Sequence, residues 1–165
     1  MPREKIIVIC PGRGSYSRET SGYLKKYLNP SLPEINFIEK RRKIKNQLSP
    51  LELDSLPFRA KVHMVGENAS ALIYACSVMD FTSIDREKYE IIAIAGNSMG
   101  WYTALALSGA VLNENAFELI DTMGSMMKDK IIGGQLIYPI IDKTWQIDNE
   151  KTLLVIDAIN KAEAY

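Results

Sequence analysis

The pentapeptide Gly96-Asn97-Ser98-Met99-Gly100 constrains this chain more than any other stretch. An apolar run, Ile91-Ile92-Ala93-Ile94-Ala95, leads into it, and a helix-like run over residues 101–108 leaves it. Strand, sharp turn and helix in that order put a serine at the tip of the turn, the layout of a nucleophile elbow. In so tight a turn backbone passes against backbone, so a side chain at either flank would clash, and the serine is held in a strained φ/ψ region. Its hydroxyl stands clear of the sheet. The next amide, that of Met99, sits at a helix N-terminus, where it can stabilise an oxyanion. Ser98 is therefore the candidate nucleophile. The competing reading is a glycine-rich strand-to-helix turn with a spectator serine.

The chain has 165 residues, one domain's worth, and its 47% hydrophobic content is enough to bury a core. Twenty basic and twenty acidic side chains cancel, so no global field favours nucleic acid or an anionic membrane. The densest charge run, Glu39-Lys40-Arg41-Arg42-Lys43 followed by Lys45, reads as a solvated helix face; a docking patch for an acidic carrier protein is the sharper alternative. Cys10 and Cys76 make neither a disulfide framework nor a zinc site. Both read as buried thiols in a reducing compartment. The apolar run over residues 6–10 is too short for a signal peptide and no stretch is long enough to span a bilayer, so the expected location is the cytoplasm.

Residues 5–10 read as a buried strand of β-branched side chains that stops at Pro11-Gly12. A tight loop, Pro11-Gly12-Arg13-Gly14-Ser15, follows, then a helix over about residues 20–28. Prolines 30, 33, 50 and 57 break up the next stretch, within which Ser49-Pro50-Leu51-Glu52 has the form of a helix start. Asn68 is placed to cap a helix over residues 69–81, and Gly109 to end the helix after the elbow. A further helix runs from about residue 113 to 128, with Ala116, Leu119, Ile120, Met123, Met126 and Met127 as its apolar stripe. Gly133-Gly134 breaks the chain before a strand over residues 136–141 and an amphipathic helix over residues 149–164. Strands separated by helices argue for an α/β fold with a parallel sheet. The expected division is a core over residues 1–132 and the beginning of a small second subdomain over residues 133–165.

A serine hydroxyl needs a base to become a nucleophile near neutral pH. The one histidine, His63, precedes the serine, whereas elbow enzymes carry theirs after it, so His63 reads as structural or surface. The Pro11–Ser15 loop lacks the spacing of a dinucleotide fingerprint and the lysine of a P-loop. In an elbow enzyme the second oxyanion-hole amide comes from a loop after an early strand, a role the backbone N–H of Arg13 fits. A phosphate cradle and an ordinary strand-exit turn are the alternatives.

Taken together, the two motifs resemble the malonyl-CoA:acyl carrier protein transacylase family. Pro11-Gly12-Arg13-Gly14-Ser15 is similar to its P-G-Q-G-S, and Gly96-Asn97-Ser98-Met99-Gly100-Trp101-Tyr102-Thr103-Ala104-Leu105 to its G-H-S-L-G-E-Y-T-A-L. The segment from Ser108 through Met127 resembles the stretch that ends in R-G-x-x-M, and Gly133-Gly134 the G-G before a small ferredoxin-like subdomain. Order and spacing agree over most of the chain, residues 29–60 excepted. The resemblance implies a hydrolase-like α/β acyltransferase core and transfer of an acyl group from coenzyme A to Ser98, then to the phosphopantetheine thiol of an acyl carrier protein. It implies no bound cofactor. The amides of Met99 and Arg13 would form the oxyanion hole, and Gly12, Asn97, Trp101 and Met123 would border the substrate. Fatty-acid and polyketide synthesis both use this family.

The departures matter as much. Asn97 stands for the family's histidine, Trp101 for a glutamate and Arg13 for a glutamine, although an amide role survives that last change. Met123 stands where malonyl-specific members carry the arginine that pairs with malonate's free carboxylate. Methionine offers an apolar, flexible wall instead, which implies an uncharged acyl group. Arg13 supplying that charge from the opposite loop is the rival. The family's catalytic histidine lies in a G-x-H-S motif beyond the small subdomain, and this chain ends at Tyr165. The expectation is a truncated acyltransferase, its open sheet calling for self-association or a completing partner chain. Two other readings stand beside it: an elbow-type serine hydrolase or thioesterase, and a non-catalytic scaffold on an acyltransferase fold.

Overall fold

A computed structural model describes residues 2–27, 33–126, 128 and 137–164. The fold is mixed α/β: a small parallel sheet with mostly helices around it. The chain divides into two compact units, Met1–Lys130 and Ile131–Tyr165.

In the first unit, strand β1 (Glu4–Cys10) pairs in parallel with β2 (Tyr89–Gly96), and Cys10 lies opposite Gly96. The register slips once, between Ile6 and Ile7. Both strands are runs of β-branched and small apolar residues, the composition of strands covered on both faces. Here one face is open among the described residues: Ile7, Ile9 and Ile92 are more than half exposed.

Helices fill the crossover between the strands: α1 (Pro33–Ile44), α2 (Pro50–Ser55), α3 (Ala60–His63) and α4 (Gly66–Thr82). After β2 come α5 (Gly100–Leu107) and α6 (Asn113–Ser125). Helix α4 is the spine of the core. Ala69, Ala71, Leu72, Ile73, Tyr74, Ala75 and Val78 are all buried, so it is apolar nearly all round, as a central helix must be. Phe117 and Ile120 of α6 join the same cluster.

Several expectations change here. The helix expected over residues 20–28 is only a 3₁₀ turn, Tyr23–Lys26, and residues 28–32 lie outside the described ones. Helix α4 begins at Gly66, so Asn68 sits in its first turn and does not cap it. Its side chain is used otherwise: Nδ2 donates to the Val62 carbonyl (3.0 Å) and Oδ1 accepts from Arg42 (2.7 Å). The Ser49 start does form, as a full capping box with Glu52 and Pro50 in the first turn.

The basic run on α1 is not simply a solvated face. Arg42 is fully buried, its guanidinium spent on the Leu48 and Glu67 carbonyls, Asn68 and Asp121 (3.1 Å). Lys45 reaches the other Asp121 oxygen (2.6 Å), and Arg41 pairs with Glu118. This pairing turns α6. Its inward side is Ala116, Phe117, Ile120, Asp121 and Gly124, leaving Leu119, Met123 and Met126 of the expected stripe partly exposed, and Met127 lies outside the described residues. Gly124 completes the crossing, since a Cβ there would lie 2.7 Å from the Gly66 carbonyl oxygen and 2.8 Å from Ser70 Oγ.

In the second unit, residues 137–140 are not a strand. A single antiparallel bridge, Ile141 to Ile147, closes a turn in which Asp142 Oδ1 accepts from Thr144 and Gln146. Helix α7 (Asn149–Glu163) follows, capped by Asp148 and with no buried residue. Gly133-Gly134 and Leu136 lie outside the described residues.

Candidate active site

The elbow is built by close backbone contact. A Cβ on Gly96 would lie 2.2 Å from the carbonyl carbon and oxygen of Gly100. A Cβ on Gly100 would lie 2.1 Å from the carbonyl oxygen of Cys10. Both positions therefore admit only glycine without a shift of the backbone. The two glycines let β2 turn straight into α5 against the end of β1. The Asn97 amide donates to the Cys10 carbonyl (3.0 Å) and extends the ladder one step past the strand.

Between the glycines, Ser98 has φ 53°, the left-handed region that a side chain rarely adopts. A residue held there costs on the order of 1–3 kcal/mol, and such strain gathers at functional sites. Ser98 and Asn97 are exposed, while Met99 is buried and anchors the turn in the core.

The loop after β1 lies alongside. A Cβ on Gly12 would come 3.3 Å from the Asn97 carbonyl oxygen and 3.4 Å from Ser98 Cβ, so the Pro11–Ser15 loop runs beside the elbow at this point. Ser15 N–H closes that loop on the Gly12 carbonyl (3.3 Å). In the elbow, the amides of Gly100, Trp101 and Tyr102 go to the carbonyls of Asn97, Ser98 and Met99. The amides of Arg13 and Met99 have no such acceptor among the described residues.

Trp101 opens the outer side of α5 and is 62% exposed. Met123, on α6, is 39% exposed beside the buried Gly124. The structure thus brings Gly12, Asn97 and Ser98 into one cluster, with Met99 and Trp101 next in the chain.

His63 is spent elsewhere. It is buried, stacked on Tyr16 and Phe58; the Arg59 amide donates to Nδ1 (3.1 Å), and Nε2 lies 2.9 Å from the Leu53 carbonyl oxygen. Nδ1 also lies 3.1 Å from the Arg59 carbonyl oxygen, so the ring is a core residue that pins α2 to α3.

A cavity of about 280 Å³ lies between β1 and α4, with Pro11 and Ser15 of the loop in its lining. Both thiols line it, and burial pushes Cys76 up to about 12, so its sulfur stays protonated and unreactive. At its rim Asp80 accepts from Tyr23 (2.8 Å) and Tyr27 and pairs with Lys26 (3.2 Å), tying the 3₁₀ turn to α4. Sequence reasoning missed this clasp because tyrosines at 23 and 27 carry no motif that points to an aspartate on α4. Among the described residues no group of His, Cys, Asp or Glu could hold a metal ion, and no helix is long and apolar enough to cross a membrane.

Comparison of the chain with protein-family models, with curated proteins and with solved structures returns no match.

Proposed function

We propose that the protein is an acyltransferase of the malonyl-CoA:acyl carrier protein transacylase type, with a hydrolase-like core, in which Ser98 accepts an acyl group from coenzyme A. The observation that carries this reading is the elbow itself: a serine at φ 53°, exposed, between two glycines whose Cβ atoms would strike backbone. Asn46 and Trp145 also have positive φ, but neither lies between glycines that close backbone packing demands.

In the reaction, the bond from Ser98 Oγ to the acyl carbon forms and the carbon–sulfur bond of the thioester breaks. The hydroxyl proton ends on the departing thiolate. The oxyanion formed on the way is received by the unclaimed amides of Met99 and Arg13. A carrier-protein phosphopantetheine thiol then takes the acyl group and returns the proton to Ser98, a ping-pong sequence. His63 is not the base, since both of its ring nitrogens are engaged in the core. Met123 in place of an arginine favours an acyl group without a free carboxylate.

The test is to acylate the protein with a radiolabelled acyl-CoA, remove the excess, and add either a holo acyl carrier protein or buffer. Transfer of the label to the carrier protein faster than to water supports the transferase. Release to water at the same rate with and without the thiol makes the protein a thioesterase or hydrolase. No label on the protein favours a scaffold.

A further inference from the structure

Helices α1, α4 and α6 close around a cavity of about 160 Å³. Glu34 and Phe37 come to it from the start of α1, Tyr74 from the middle of α4, and Asn113 and Glu114 from the start of α6. Neither Ser98 nor Gly12 is in its wall.

The wall holds groups that the fold leaves unanswered. Tyr74 is 1% exposed, and its hydroxyl is buried without a hydrogen-bond partner among the described residues. Burial first, and then the charge of Glu34, push the phenol above its ordinary value, so the hydroxyl end of the ring meets the Glu34 side of the cavity and stays protonated. A buried hydroxyl is costly to leave unmatched, which calls for a partner in the space it faces. The ring is fixed there by stacking on Phe117, with 6.1 Å between centroids, and Phe37 meets the same Phe117 edge-on. The carboxylates of Glu34 and Glu114 have no cationic partner among the described residues. Arg41, 6.0 Å from the Phe37 ring centroid, is spent on Glu118.

Charge and size say which ligand fits. A helix start carries about half a positive charge, so the starts of α1 and α6 together fall short of two carboxylates. The cavity is therefore net negative and disfavours an anion. A cavity of about 150 Å³ takes one benzene-sized molecule, so this one has room for about six non-hydrogen atoms, too much for a bare metal ion. The Phe37 ring suits an alkyl stem that ends in a cation. The Tyr74 oxygen can accept from an N–H donor.

We infer that this cavity is a binding site for a small primary alkylammonium, with its head group among Glu34, Glu114 and the Tyr74 hydroxyl and its stem against Phe37. The site is separate from Ser98 and stands or falls independently of the acyltransferase reading.

The probe is n-butylammonium chloride. The controls are n-butanol, which has the same shape without the charge, and sodium chloride at the same ionic strength. Amide spectra of the isotope-labelled full chain should shift at the starts of α1 and α6 and around Tyr74, saturating in the millimolar range expected of so small a ligand. Neither control should reproduce those shifts. Glu34→Gln should weaken binding about ten-fold. Glu114→Gln, at an exposed position, should weaken it about three-fold. Tyr74→Phe removes an unmatched hydroxyl, so the fold should be at least as stable while binding weakens. Equal shifts with n-butanol overturn the ammonium, and equal shifts with sodium chloride reduce the effect to screening. No localised shift, or binding unchanged in Glu34→Gln, overturns the site and leaves water as the partner of the Tyr74 hydroxyl.

Discussion

The α1–α4–α6 junction and the β1–β2–elbow region of the same unit are built on opposite terms. At the junction the buried charges are answered, while Ser70 Oγ and the Tyr74 hydroxyl of α4 are buried without a hydrogen-bond partner among the described residues. Arg42 and Asp121 are buried together, with two backbone carbonyls, Asn68 and Lys45 completing their bonds. At the elbow, Ser98 sits in a strained conformation and exposed, two amides lack acceptors among the described residues, and Ile7, Ile9 and Trp101 face outward. The difference teaches where the chain keeps its stability and where it keeps its chemistry. A packed junction with its buried charges paired holds the strained edge in place, and strain persists only where its surroundings over-determine it.

Breaking the junction should have the largest effect. Arg42→Ala leaves the buried Asp121 with Lys45 alone, strips the Leu48 and Glu67 carbonyls and Asn68 of their donor, and should destabilise the fold by about 3 kcal/mol, read as a drop in the urea midpoint. Next comes the elbow's own frame. Gly100→Ala drives a methyl into the Cys10 carbonyl and should cost about 1–3 kcal/mol, with loss of Ser98 acylation even at temperatures where the protein stays folded.

The opposite sign is expected at the serine. Ser98→Gly relieves the left-handed strain and should stabilise by about 1 kcal/mol in thermal unfolding while abolishing acylation. A Ser98→Gly protein no more stable than the parent would show that the elbow stores no strain.

The smallest effect is on pH dependence. Burial holds the Cys76 thiol up at about 12, against an ordinary 9.0. Burial and the bond to Asp80 hold the Tyr27 phenol at about 12, against 10.0. Both groups have raised values in the folded state, so their contribution is complete below the ordinary values and is lost as pH rises from about 9 toward 12. Stability should therefore fall on the alkaline side, and Cys76→Ala should make that fall shallower.

What could be read from the sequence follows the same division. The elbow was legible as a local motif, and glycine at 96 is demanded by Gly100 and Trp101 a few residues away, whereas glycine at 100 is demanded by Cys10 and Pro11 at the end of β1. The Ser49 capping box is local too. The junction was not legible, because a buried arginine looks like any other member of a basic run until its partner, 79 residues away, is in place. That pair also rotated the inward side of α6 away from its methionines. Asn68 misled for the same reason, since its side chain answers Arg42 instead of capping a helix. The role of Trp101 was open either way, because exposure is a property of the packed helix and not of the residue type.

The most direct measurement is intact-protein mass spectrometry of the purified protein after mixing with acetyl-, malonyl- and octanoyl-CoA, with Ser98→Ala alongside. A single acyl adduct that maps to Ser98 and vanishes in Ser98→Ala is the predicted result. An unlabelled protein, or an adduct that survives in Ser98→Ala, would contradict a nucleophile at the elbow.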